Sequence, residues 1–179
     1  PIGGGVTPKS DFHSQASHRK HDMLTITLIT VSHKQPAWVI DAYNEYAKRL
    51  PTREIKLELK ELKPEAREGK TAEHAMLLEA DKIKASIPKG AHIIALDERG
   101  DDLSSVKLAA QLTHWQNEHK HVALIVGGAD GLSPELKASA HGLIRLSSLT
   151  LPHGMVRVLF AEQIYRAYTI TQNHPYHRA

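Results

Sequence analysis

Hydrophobic positions along this chain follow two rhythms that take turns. Leu24–Val31, LTITLITV, is apolar and β-branched almost throughout and reads as a strand buried on both faces. Pro36 suits a first helical position, and Val39, Tyr43, Ala47 and Leu50 then recur at helical spacing until Pro51 closes the segment. Ile55, Leu57 and Leu59 alternate with charged residues, the pattern of a strand with one wet face at a sheet edge. Beyond the polar loop 63–70, a helix from about Thr71 places Met76, Ala80, Ile83 and Ile87 on a buried stripe, and Pro88-Lys89-Gly90 breaks it. Ala91–Leu96 reads as a buried strand, Asp97–Asp102 as a loop, and Ser104–Glu118 as a helix with Val106, Ala110, Leu112 and Trp115 inward. His121–Val126 is a further solid strand, followed at once by the turn Gly127–Gly131. Ser133 and Pro134 open a short helix, Pro134–His141, as cap and first turn. Leu143–Leu146 is a short strand, and a last helix over about Gly154–Thr171 turns Val156, Phe160, Ile164 and Ala167 inward. Strand and helix alternate without exception. This predicts an α/β domain, a mostly parallel sheet with helices on both faces.

That domain runs from Met23 to the end. Residues 1–22 carry Gly3-Gly4-Gly5 and few large apolar side chains, so they read as a flexible leader, native or not, with no apolar core of a secretory signal. At 179 residues, 41% hydrophobic and 24% charged, the whole is a globular composition that excludes a collagen-like fibre, a coiled coil and a fully disordered chain. No apolar run is long enough to span a membrane, so no membrane partner is expected. Cysteine is absent, which removes disulfides, zinc–thiolate sites and cysteine nucleophiles from consideration. The net charge of +3 permits a nucleic-acid partner without demanding one, and any such binding must come from a local patch.

In open α/β sheets, ligands sit beyond the carboxyl ends of the strands. Three loops there look specialised: Leu96-Asp97-Glu98-Arg99-Gly100, Gly127-Gly128-Ala129-Asp130-Gly131 and Ser147-Ser148-Leu149-Thr150-Leu151-Pro152-His153. Glycine-rich turns of this sort are also common as plain connections. Neither a P-loop nor a G-x-G-x-x-G fingerprint is present, which leaves a ligand held by backbone and small apolar groups with few phosphate anchors. On the last helix, Glu162 and Arg166 stand at i, i+4, an ordinary stabilising pair. Tyr165 and Tyr168 beside Val156 and Phe160 give more apolar surface than one buried stripe needs, which points to a partner helix. The tail Asn173-His174-Pro175-Tyr176-His177-Arg178 gathers imidazoles, an aromatic and a guanidinium, a set suited to stacking on a base and touching a phosphate. Two histidines without acidic neighbours make a weak metal site, and no metal is expected.

LDERG, VGGADGLSPE, LSSLTLPHGMVRVLFAEQIYRAYTI and the terminal NHPYHR together resemble the ribosomal RNA large subunit methyltransferase H family, in the SPOUT class. The resemblance covers 23–179 and is most specific over Leu146–Ala179. It departs at Gly154, where the family often carries a larger residue. The resemblance implies a SPOUT-type α/β knot formed by threading the C-terminal segment, a path the general topology rules would not suggest. It implies methyl transfer from S-adenosylmethionine to N3 of a pseudouridine in 23S ribosomal RNA, in a stem-loop at the subunit interface of the assembled ribosome. It also implies a cytoplasmic homodimer in which the tail of one subunit completes the site of the other. The cofactor positions carry over to Leu96, Gly127, Leu146, Ser147, Ser148, Leu149, Thr150 and Leu151. A weakly acidic imide N–H must be removed or its anion stabilised, so His153, Tyr176, His177 and Arg178 are the catalytic candidates, with Arg157 and Arg166 for RNA phosphates. A knotted methyltransferase for another RNA, such as transfer RNA, is the enzyme alternative, and a ribosome-binding protein that lost its cofactor is the non-enzymatic one.

Overall fold

The computed structural model describes residues 23–178, without the side chain of Arg178, so the leader expected at 1–22 lies outside the described residues. The elements are β1 (Leu24–Val31), α1 (Ala37–Ala47), β2 (Ile55–Leu62), α2 (Ala72–Ser86), β3 (His92–Asp102), α3 (Ser105–Glu118), β4 (His121–Val126), α4 (Pro134–Ser139), β5 (Gly142–Arg145) and α5 (His153–Thr171). A single 3-10 turn, Pro175–Arg178, follows. The five strands form one sheet in the order β2-β1-β4-β3-β5, with every pairing parallel. As the alternating pattern of β2 predicts, that strand lies at an edge.

Side chains alternate across a strand, so β1 and β4 feed both faces. Leu24, Ile26 and Leu28 pack with Val122 and Leu124 under α1, α3 and α5, which contribute Tyr43, Leu112, Trp115, Phe160 and Ile164. Ile29 and Val31 pack with Ala123 and Ile125 on the other face, under Ile83 of α2 and Leu136 of α4. Thr71, Ser104 and Ser133 cap their helices by accepting from His74, Lys107 and Leu136 N–H groups at 3.1–3.2 Å.

Three details differ from the periodic reading. In α3 the inward residues are Leu108, Ala109, Leu112 and Trp115, whereas Val106 is 69% exposed and Ala110 is exposed. Leu108, Leu112 and Trp115 set the phase at i, i+4, i+7, and Val106 lies roughly 200° away from Leu108 around the helix. In α2 the stripe is Ala75, Glu79, Ala80 and Ile83, with a carboxylate in the apolar series and Met76 only half-buried. The predicted loop after Leu96 is a bulge inside a longer strand: Leu96 and Asp101 both oppose Ile144, and Asp97–Gly100 loop out between them.

Gly154 has a local reason. A Cβ there would stand 2.5 Å from Gln35 Oε1 and 3.1 Å from Val39 Cγ2, because the first turn of α5 presses against the entry to α1. A larger residue there would require the Gln35 side chain to swing aside and Val39 to give by a few tenths of an ångström.

Candidate active site

The three loops marked by the sequence do converge at the carboxyl edge of the sheet. The β3 bulge and the β5–α5 connection enclose a cavity of about 480 Å³. Its apolar lining is Leu96, Val126, Ile144, Leu146 and Val156, and its rim carries Asp97, Glu98, Arg99, Arg145 and Ser147–Leu151. Of the expected cofactor positions, Leu96, Leu146, Ser147, Ser148, Leu149, Thr150 and Leu151 line this space. Gly127 does not, although its neighbour Val126 does. Ser147 Oγ accepts the Leu149 N–H at 2.9 Å, which folds the connection into a tight polar turn and leaves Leu149 75% exposed. Burial alone would raise the Asp97 carboxyl, but the Arg99 N–H and the Lys137 ammonium outweigh it and hold it below the usual range.

Gly127 is required by its own turn. A Cβ there would sit 2.3 Å from the Gly131 carbonyl carbon, since the turn doubles back with Gly131 N–H on Gly128 O at 3.0 Å. Its carbonyl faces His153 Nε2 at 3.2 Å. A carbonyl only accepts, so Nε2 carries the proton and Nδ1 keeps its lone pair, buried and with no partner among the described residues. Burial lowers the pKa of His153, with the nearby Arg157 charge acting in the same direction. His153 is therefore a neutral brace between α5 and the glycine turn, and it stands outside the cavity lining.

Arg157 corrects an expectation. It was a candidate for RNA phosphates, yet its side chain is 1% exposed, with Nη1 donating to Glu61 Oε2 at 2.6 Å and Nη2 to Ser32 Oγ at 2.8 Å. It faces the sheet because residue 157 lies one turn before Ala161, on the buried side of α5. A guanidinium enclosed in this way cannot reach a phosphate.

The tail folds back on its own helix. Tyr176 stacks edge-on against Tyr165 at 4.7 Å, lies under the Arg166 guanidinium at 5.0 Å and donates to Glu162 Oε1 at 3.1 Å. The same oxygen takes Arg166 at 2.7 Å, so the i, i+4 pair read from the sequence is present and also anchors the tail. Burial and the Glu162 charge push the Tyr176 phenol up to about 12, which keeps it protonated at neutral pH. His177 Nδ1 is buried with no hydrogen-bond partner among the described residues, which do not include the side chain of Arg178. Tyr165 and Tyr168 are both half-buried: Tyr165 packs edge-on against Tyr176, and the Tyr168 hydroxyl donates to Glu54 Oε2 at 2.8 Å. Among the described residues, Met23, Trp38, Ile40, Leu77, Val106 and Leu149 are the large apolar side chains left exposed. From His153 to Thr171, α5 rises roughly 27 Å. Within one chain the tail packs beside the middle of that helix, at Glu162 and Arg166, and none of its residues lines the cavity.

Sequence reasoning passed over three polar partners. Glu61 and Ser32 meet Arg157, and Glu79, 3% exposed on α2, holds Arg67 at 3.0 Å. Glu79 did carry a signal: it sits in phase with Ala75 and Ile83, where an apolar residue belongs.

An all-parallel sheet covered on one face by α1, α3 and the C-terminal helix, with a cavity lined by two of its three carboxyl-edge loops, is the setting in which the family match falls. The model of predicted SPOUT methyltransferases matches residues 24–177, and the chain belongs to that family. It is 61% identical over 156 residues to the ribosomal RNA large subunit methyltransferase H of Ralstonia nicotianae, covering 87% of this chain and 99% of that one. With the protein of the same description from Janthinobacterium sp. it shares 60% identity over the same coverage. A solved putative methylase family protein from Neisseria gonorrhoeae is similar at 14% identity and a TM-score of 0.48, covering 89% of this chain and 86% of that one.

Proposed function

We propose that this protein methylates large-subunit ribosomal RNA with S-adenosylmethionine as donor, at N3 of a pseudouridine in the 23S stem-loop at the subunit interface, on the assembled ribosome. The observation that carries the reading is the cavity, which gathers seven of the eight expected cofactor positions in one space. At about 480 Å³ it falls within the range of cofactor pockets. Its chemistry fits the donor: Leu96, Ile144, Leu146 and Val156 suit an adenine ring, the turn Ser147–Leu151 offers backbone polar groups, and no phosphate has to be held. The bound cofactor supplies an electrophilic methyl group on a sulfonium.

The residues of this chain divide the remaining work. The 147–151 turn and the β3 bulge orient the donor, and His153 holds the glycine turn against α5. Tyr176, protonated at neutral pH, is a hydrogen-bond donor and not a base, which leaves His177 as the tail group able to take the imide proton and Arg178 to hold the oxyanion. Arg166, partly open beside the tail, is the remaining candidate for a phosphate contact. None of the tail residues, packed on α5 at Glu162 and Arg166, lines the cavity, which favours a homodimer in which each tail serves the other protomer's cavity, with Trp38 and Leu149 among the exposed apolar side chains a second copy would cover. No helix among the described residues is long and apolar enough to cross a membrane, which accords with a cytoplasmic site of action.

The test is transfer of labelled methyl from S-adenosylmethionine to whole ribosomes, free subunits and naked RNA, with the modified base mapped. Labelling of whole ribosomes at one pseudouridine is the expected result. Ser148→Trp, an exposed rim position whose new side chain fills the cavity, should abolish cofactor binding in a protein of unchanged melting temperature. Labelling of transfer RNA alone would overturn the substrate, and unchanged cofactor affinity in Ser148→Trp would overturn the pocket.

A further inference from the structure

We infer that Arg67 is a positioning residue for cofactor binding, because its guanidinium ties the Gly127–Gly131 turn to the buried carboxylate of Glu79. The inference rests on the cavity being the cofactor site. Arg67 lies in the β2–α2 connection and touches nothing in the cavity. Its Nε and Nη2 donate to Asp130 Oδ2 at 3.0 and 2.8 Å. Nη2 also reaches Glu79 Oε1 at 3.0 Å, while Nη1 reaches Glu79 Oε2 at 3.3 Å and Glu65 O at 2.9 Å. These contacts match the five N–H donors of a guanidinium, a fork that the three donors of lysine cannot reproduce.

Glu79 is 3% exposed and also accepts the Glu65 N–H at 3.2 Å, so the anchor is fixed from two elements. The turn rests directly on it. A Cβ at Gly128 would stand 3.1 and 3.2 Å from the two Glu79 carboxylate oxygens. The turn is thus gripped on two sides, by Arg67 through Asp130 and by His153 through the Gly127 carbonyl. Val126, the residue before it, is cavity lining. Releasing one grip lets this wall move and costs cofactor affinity without touching the cofactor. Asp130 itself is 37% exposed, so a pair on it alone would contribute little to stability, and its use is better explained by placement.

Asp130→Ala removes only the grip on the turn, Arg67→Ala removes the whole clamp, and Arg67→Lys keeps the charge without the fork. Calorimetry with S-adenosylmethionine should show its Kd raised about tenfold or more in Asp130→Ala and in Arg67→Lys. At saturating cofactor, kcat and the KM for ribosomes should stay within twofold of the parent. Asp130→Ala should melt within a few degrees of the parent, so the inference remains testable if Arg67→Ala, which strands Glu79, folds poorly. Parent-like cofactor affinity in Asp130→Ala and Arg67→Lys, with binding abolished in Ser148→Trp, overturns this inference and leaves the pocket standing. Parent-like affinity in all three variants overturns both.

Discussion

Replacing Glu61 by alanine should destabilise the protein strongly, although Glu61 lies on the wet edge strand. The reason is its partner. Arg157 is 1% exposed, and Glu61 Oε2 at 2.6 Å supplies its counter-charge, with Ser32 Oγ at 2.8 Å as a neutral acceptor. Removing one member of a buried pair costs about 3–5 kcal/mol, mostly because the remaining charge is left without compensation. The Glu61 side chain is 32% exposed, so water can enter the space it leaves, and the lower end of about 3 kcal/mol applies. For a domain of this size roughly 2–4 °C accompanies each kcal/mol, so the melting temperature should fall by about 6–12 °C. The double variant Glu61→Leu with Arg157→Met removes both charges and fills the space with apolar groups, and should recover most of the loss. Thermal and urea unfolding of Glu61→Leu, Arg157→Met and the double variant give the coupling directly. A Glu61→Ala protein within about 1 kcal/mol of the parent would refute the buried-pair reasoning. A stable Arg157→Met protein whose ribosome binding had a flatter salt dependence would show that Arg157 meets RNA phosphate after all.

Deleting residues 176–179 removes a half-buried tyrosine with one hydrogen bond and one ring contact, so it should cost only about 1–2 kcal/mol while methyl transfer collapses. Mixing that truncated protein with Ser148→Trp should restore activity if the tail acts on the other protomer's cavity, and failure to restore it would place the tail in its own site. Stability should fall on acidification. His153 and His92 both have folded pKa values below the ordinary histidine value, chiefly through burial. Arg157 adds to the effect at His153 against an opposing Glu61, and the stacked imidazoles of His119 and His141, with His114, add to it at His92. A depressed histidine contributes stability that is present above its unfolded pKa near 6.5 and is lost as pH falls through the folded value. Melting temperatures from pH 8 to pH 5 should therefore drop below about pH 6.5, with a shallower drop in His92→Asn, and equal slopes in the two proteins would contradict the assignment.

What could be read from the chain and what could not separate along one physical line. Apolar periodicity located each strand and helix, because burial on a regular element leaves a repeating pattern in its own residues. It also put β2 at an edge, since only one face of Ile55–Leu62 is apolar. Phase errors arose where few residues vote: in α3 the choice between Val106 and Leu108 was settled by the cap at Ser104 and by Trp115, which together fix the rotation of the helix. The β3 bulge was read as a loop because its side chains are polar, and its return to the sheet at Asp101 depends on Ile144, far away in the sequence. For the candidate site, two of the three loops read from the sequence line the cavity, whereas the glycines of the third serve the close packing of their own turn. Polar pairs between distant elements left no such trace. Arg157 looks from its neighbours like any helical surface cation, and only Glu61 and Ser32, brought together by the β1–β2 pairing, make it a core residue. The tail is the converse case. Its side-chain types suggest chemistry on their own, but where they lie depends on Glu162, Tyr165 and Arg166, which hold Tyr176 against the middle of α5 and outside the cavity lining, and that packing leaves no periodic mark in the six tail residues themselves.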